Sequence, residues 1–269
     1  MTGVQTCALP ISESSLNQKQ GHWILAKLGK KVLRPGGRLL TEWLVRNLEI
    51  TSKDDVVEFA PGLGFTGSIA CSYKPFSYTG VDMNKEAAVL AKKNIRYDKA
   101  RVIVADAADT QLPDGFADKV YGEAMLTMQP IEHKRAIISE AYRLLKPGGY
   151  YAIHELGLQP DEVSEEVKNG LFKDLSSNIR VHARPMTAKE WKTLLEEQGF
   201  KVIKEQHSPM LLLEGSRILE DEGFFRTLKF LFNLLRYPDL RKRVQKMKQS
   251  FRKHQQNLDA IALIAQKPL

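Results

Sequence analysis

The stretch VVEFAPGLGFTG, residues 56–67, sets a proline and three glycines directly behind a short apolar run that ends in an acid. The β-branched start followed by Gly62 and Gly64 predicts a strand that turns sharply into a helix. Glycines at such a turn remove side chains where a ligand has to lie on backbone, close to the positive end of the helix. Gly62, Gly64 and Gly67 have G-x-G-x-x-G spacing, and Asp82 closes the next apolar run. A dinucleotide-binding fold uses the same loop, with an acid about 20 residues on for the ribose diol. Loop and acid alone therefore leave the ligand open.

On either side of that stretch, short apolar runs alternate with helical patterns, the rhythm of an α/β fold. Strands are predicted at 55–60, 77–82, 101–106, 118–123, 149–156, 201–213 and 257–266. Helices are predicted at 85–95 and 132–146, where Ile137, Ile138, Ala141, Leu144 and Leu145 recur at three- and four-residue steps. A further helix over 187–200 opens with Thr187 and Glu190 at capping-box spacing and stops at Gly199.

The chain has 269 residues, 43% hydrophobic and 27% charged, enough for one sizeable core with an appended lid. Its longest apolar stretches fall far short of the roughly 20 residues that a spanning helix needs. Residues 1–12, MTGVQTCALPIS, lack the basic start and unbroken apolar run of a signal peptide. Back-translated, they match a sequencing-library adapter read in frame, so they are set aside as non-native. Without Cys7, Cys71 stands alone: no disulfide or cysteine-based metal site is available, and a reducing cytoplasm is the expected compartment.

Four motifs occur in order, each at a strand boundary: EFAPGLG from the opening stretch, GVD at 80–82, ADAAD at 105–109 and LLKPGGYYAIHE at 144–155. As a set, over roughly residues 38–213, they resemble the class I S-adenosylmethionine-dependent methyltransferases, bacterial small-molecule type. The resemblance implies a Rossmann-like, seven-stranded, mostly parallel sheet with its last strand antiparallel. It places S-adenosylmethionine across the carboxyl ends of the strands, and no metal is expected. Glu58 would fix the loop and face the methionine ammonium, with Ala60, Gly62 and Gly64 forming the backbone approach. Asp82 and the adjoining Met83 would hold the ribose end, Asp106 the adenine amino group, and the Ala107 amide the ring. Glu123 would lie nearest the sulfonium. Ala60 stands where many members carry glycine, and an alanine fits if φ stays negative.

Methyl transfer is an in-line displacement that depends chiefly on alignment. Where the acceptor must lose a proton, His154 and Glu155 leave the fifth strand at the correct edge and are the first candidates for a base, ahead of His133 and His182. Met125 and Met128 are candidates for a soft acceptor pocket.

The motifs do not account for the charge. From Arg226 to Lys253 there are ten Lys or Arg against the single acid Asp239, in a chain whose net charge is +8. Arg226, Lys229, Asn233 and Arg236 fall on one helical face, and Phe224, Leu228, Leu231 and Leu235 on another. The sequence therefore divides into a non-native segment (1–12), an N-terminal helical cap (13–48) and a methyltransferase domain (49–269) with a basic helical insert at 214–256. As a lid, the insert would bury its apolar face and leave the basic one in water. The alternative is that residues 224–254 lie on an anionic membrane surface. The acceptor is expected to be a small molecule or lipid. An RNA methyltransferase using the basic insert is the runner-up, and a non-catalytic S-adenosylmethionine-binding protein is the third reading.

Overall fold

The computed structural model describes residues 21–179 and 182–269. The segment set aside as adapter-derived, Cys7 with it, lies outside the described residues. Helices α1 (Gly21–Leu28) and α2 (Gly37–Asn47) precede the sheet. Then β1 (Asp55–Phe59), α3 (Phe65–Ser72), β2 (Ser77–Val81), α4 (Lys85–Asn94) and β3 (Ala100–Ile103) follow in strict alternation. After β4 (Ala117–Glu123) come a single 3₁₀ turn, Leu126–Met128, then α5 (Ile131–Leu144) and β5 (Leu145–Leu158). The second half adds α6 (Glu165–Ile179), β6 (Met186–Thr187), α7 (Ala188–Glu197) and β7 (Lys201–Pro209). Three helices, α8 (Gly215–Glu222), α9 (Phe224–Arg236) and α10 (Pro238–Lys253), separate β7 from β8 (Leu258–Gln266).

The strands form one sheet in the order β3-β2-β1-β4-β5-β8-β7, with the two-residue β6 paired to the end of β5. Only β8 runs against its neighbours, lying antiparallel between β5 and β7. Between β1 and β4 the chain reverses its direction of travel across the sheet, and a crevice opens there at the carboxyl ends of the strands. Local chemistry places the helices. Asn84 caps α4 by accepting from the amides of Glu86 and Ala87, and Thr187 and Glu190 form a reciprocal capping box on α7. Gly199 ends α7 with φ +90°.

One sheet face packs α5 and α7 around Ile138, Leu144 and Trp191; the other packs α2, α3 and α4 around Leu44, Ala70 and Ala91. A third cluster joins α1 to α8, α9 and α10 through Ile24, Leu28, Phe230, Leu240 and Met247. The N-terminal helices and the insert thus pack on each other above the sheet. No described helix is long and apolar enough to cross a membrane.

Four details differ from the sequence reading. β3 stops at Ile103 because Asp106 turns back to bridge Asp109, and β7 stops at Pro209, leaving Met210–Leu213 outside the sheet. The KPGG segment forms a bulge within β5: Leu145 pairs with Ala117 and Tyr150 with Lys119, and Gly148 takes φ +79° between them. The largest difference is the orientation of α9. Phe224, Leu228, Leu231 and Leu235 face solvent, while Arg226 and Asn233 turn inward to the carbonyls of Gly29 and Leu28. Those carbonyls end α1 and need donors, and Phe230 packs beside them, so the polar face wins the interior.

Candidate active site

The crevice holds a cavity of about 390 Å³ at the ends of β1, β2 and β4. Ala60, Gly62, Asp82, Met83, Asp106, Ala107 and Glu123, all singled out in the sequence, line it. Ala60 does not keep a negative φ. It sits at φ +51°, and its amide donates to Val81 O at 2.8 Å, so the turn geometry overrides the side chain's preference. Gly62 follows at φ +55°, where a Cβ would meet nothing nearer than 3.9 Å, the open face of the loop. Gly64, at φ +74°, has its Cβ position filled by Ile95 and Ala91 and serves packing against α4.

Asp82 is buried at the cavity wall and accepts from the amides of Asn84 (2.9 Å) and Gly62 (3.2 Å). Burial raises its pKa and those two amides oppose the rise. The acid thereby ties the glycine loop to the start of α4. Asp106 accepts from the Ala108 amide and lies 3.4 Å from His133 Nε2, on the first turn of α5. His133 lines the cavity too, whereas His182 lies outside it, exposed beside Ser176.

Glu58 does not face the cavity. It lies beneath the loop, where its Oε2 accepts from the hydroxyls of Tyr78 and of Tyr121 (2.8 Å). Burial with only phenols for partners pushes its pKa up to about 7, despite those bonds and the Arg34 charge. Glu123 does reach the cavity. Its Oε2 pairs with Arg34 Nε at 3.0 Å and accepts from Thr66 Oγ1; its Oε1 accepts from Thr41 Oγ1 at 2.7 Å and meets His154 Nδ1 at 2.8 Å. Burial opposes its ionisation, but the Arg34 charge and the His154 contact outweigh burial and hold the carboxyl at about 2.

Neither proposed base is placed to take a proton from an acceptor. His154 is fully buried, its Nε2 accepting from the Gly36 amide at 3.2 Å, so Nδ1 donates to Glu123. Glu155, the next residue on β5, points to the opposite face. There it accepts from the amides of Met125, Leu126 and Thr127 and from the Thr127 hydroxyl, capping the turn after β4. Both are supports beneath the site. The sequence reading missed Arg34, Thr41 and Thr66, which complete the shell around Glu123. A basic residue before the PGG turn at 35–37 was the only available signal, and several neighbouring lysines shared it.

A second chamber of about 90 Å³ adjoins the first and shares Leu33, Ala124 and Met128 with it. Its lining is otherwise apolar, including Leu25, Leu156, Leu175, Met210, Met247 and Phe251, with Thr127 as the one polar side chain among the described residues. Helices α1, α6 and α10 therefore enclose it.

A doubly wound sheet with a reversed last strand, a glycine turn after β1 and acids closing β2 and following β3 defines a Rossmann-like site for an adenosine-bearing cofactor. Residues 57–153 match the family model described as a methyltransferase domain. An uncharacterised protein of Haemophilus influenzae is 33% identical over 251 residues, covering 92% of this chain and 98% of its own length. An uncharacterised methyltransferase of Bacillus subtilis, YdaC, is 27% identical over 51% of this chain and 76% of its own. Among solved structures, phosphoethanolamine N-methyltransferase 2 of Haemonchus contortus, in complex with S-adenosyl-L-methionine, superposes with a TM-score of 0.69 at 18% identity. That superposition covers 96% of this chain and 58% of the other. The chain belongs to the class I S-adenosylmethionine-dependent methyltransferases, and S-adenosylmethionine is its cofactor. The cavity fits that cofactor: the Gly62 face is bare, and two acids at separate strand ends offer acceptors for hydroxyl and amino groups.

Proposed function

We propose that the enzyme acts in the cytoplasm and methylates an apolar small-molecule or lipid-like acceptor whose hydrophobic part occupies the second chamber. The observation that carries this reading is that the second chamber shares Leu33, Ala124 and Met128 with the cofactor cavity and that, among the described residues, no titratable side chain lines it. Asp82 accepts from the ribose hydroxyls, Asp106 from the adenine amino group, Ala107 and Met83 flank them, and the Ala60–Gly62 backbone carries the amino-acid end. S-adenosylmethionine supplies the activated methyl group when bound. Glu123, ionised and fixed by Arg34, sets a negative charge at the cavity wall on the side of the shared boundary. With His154 and Glu155 engaged elsewhere, the chain's contribution is alignment and exclusion of water. An acceptor suited to this site reacts without a protein base in the apolar chamber.

Incubation with methyl-labelled S-adenosylmethionine and either a bacterial lipid extract, water-soluble metabolites or total RNA tests the reading. Label is expected in the organic-soluble fraction. Leu175→Trp, which fills the second chamber, is expected to abolish transfer while cofactor affinity stays within about twofold, since Leu175 does not line the cofactor cavity. Label confined to RNA would replace this reading with the nucleic-acid one.

A further inference from the structure

We propose that α9 is an interfacial docking helix that seats the enzyme on an anionic membrane surface. Phe224, Phe225, Leu228, Leu231, Phe232 and Leu235 are all exposed, from 48% for Leu228 to 84% for Phe225. At 100° per residue they share an arc of about 120°. Single exposed apolar residues are ordinary, but a contiguous stripe rimmed by polar groups marks a contact surface.

The orientation is held in place. On the opposite side of the same helix, Arg226 donates to Gly29 O (2.7 Å) and pairs with Glu222 (2.9 Å), Asn233 donates to Leu28 O (2.9 Å), and Phe230 is buried. Rotating the stripe inward would strip α1 of its terminal donors and bury a guanidinium without its partner.

Charge decides the occupant. Lys229 and Arg236 border the stripe, and the exposed side of α10 adds Arg241, Lys242 and Lys246. Among the described residues no carboxylate pairs with these five, whereas Lys248 and Arg252 are held by Glu214 and Lys253 by Asp174. A second copy of the chain would bring like charges together. An anionic bilayer takes up both features: headgroups meet the cations that no carboxylate pairs with while the aromatic and leucine side chains enter the acyl boundary. RNA would use the charges and leave the stripe in water. The same helical layer roofs the apolar chamber through Leu25, Met247 and Phe251, so docking would bring that chamber to the bilayer. The inference does not depend on which acceptor is methylated.

The test is sedimentation of the full chain with vesicles of phosphatidylcholine alone or with phosphatidylglycerol added, at physiological ionic strength and without methyl transfer as a readout. Wild type is expected to bind only the anionic vesicles. Phe225→Ala, Phe232→Ala and Leu235→Ala combined should weaken binding at least about tenfold through lost apolar insertion. Lys242→Glu with Lys246→Glu should weaken it at least about tenfold through lost attraction to headgroups. Calorimetric S-adenosylmethionine affinity, unchanged in both variants, shows that they are folded. No binding by wild type overturns the proposal, as does binding that the charge reversal removes and the alanine variant keeps, which is general polyanion attraction. A wild-type dimer abolished by the alanine variant, with no vesicle binding, would assign the stripe to self-association and equally overturn it.

Discussion

Glu58 and Glu123 end adjacent strands of the sheet, both buried, and their partners drive them in opposite directions. Two phenols leave Glu58 at about 7, whereas a guanidinium, two threonine hydroxyls and His154 bring Glu123 to about 2. The folded state binds the Glu58 proton more tightly than the unfolded chain does, so stability present below about pH 4.5 is lost as pH rises through 7. Glu58→Gln, whose amide oxygen still accepts from both tyrosines, should therefore come close to wild type at pH 4 and exceed it at pH 8. The expected gain is on the order of 3 kcal/mol, read from thermal melts. Glu123 has the reverse sign: its contribution is complete above about pH 4.5 and disappears as pH falls through 2. Asp82 works through the ligand instead. On the role proposed for it, charge-assisted bonds to two ribose hydroxyls would be worth roughly 1.5–3 kcal/mol each, so Asp82→Ala should weaken S-adenosylmethionine binding at least about tenfold in calorimetry. Normal affinity in that variant would move the ribose role to another residue.

The glycine turn after β1 shows at the element scale what pattern reading captures and what it misses. G-x-G-x-x-G located the turn, and all three glycines are constrained, yet each for its own reason. Gly62 leaves a face open, Gly64 accommodates α4, and Gly67 lets α3 approach β1 and β2. A Cβ on Gly67 would come 2.5 Å from the Tyr78 hydroxyl and 2.9 Å from Glu58 Oε2. Gly67→Ala should consequently cost about 1–3 kcal/mol in urea unfolding by overpacking that buried cluster. Strands were legible because burial on both faces writes continuous apolar runs with turn residues between them. Asp82, Asp106 and Ala107 were legible because they stand at or just beyond strand ends. Side-chain partnership was not: Glu58 has the same sequence context whether it meets a ligand or two tyrosines from β2 and β4. His154 and Glu155 show the same limit, since their burial depends on Gly36 and on the 126–128 turn, remote in sequence. For α9, amphipathicity identified the helix but not which face would be buried, because the inward choice was set by the carbonyls ending α1.

At the scale of the whole molecule, the insert helps to hold the N-terminal segment over the cavity. Lys30 and Asp221 form an ion pair at 3.1 Å with neither side chain exposed. Asp221 also accepts from the Arg38 amide, and Glu222 from the amides of Lys31 and Val32. The loop fixed in this way carries Leu33 and Arg34 onto the cofactor cavity and presents Gly36 to His154. The last two residues of α8 thus connect elements about 190 positions apart to the site. Asp221→Ala leaves the Lys30 ammonium buried without its partner, which costs roughly 3–5 kcal/mol, more than deleting the pair as a whole. Asp221→Asn combined with Lys30→Met should recover most of that loss in urea unfolding, since asparagine keeps the size of Asp221 and its acceptor for the Arg38 amide while methionine keeps the length of the lysine without its charge. Cofactor affinity should follow stability, falling in Asp221→Ala as Arg34 loosens from Glu123 and returning in the double variant. If Asp221→Ala bound S-adenosylmethionine normally despite its lower stability, the loop would be held over the cavity by Glu222 and the α1 packing alone.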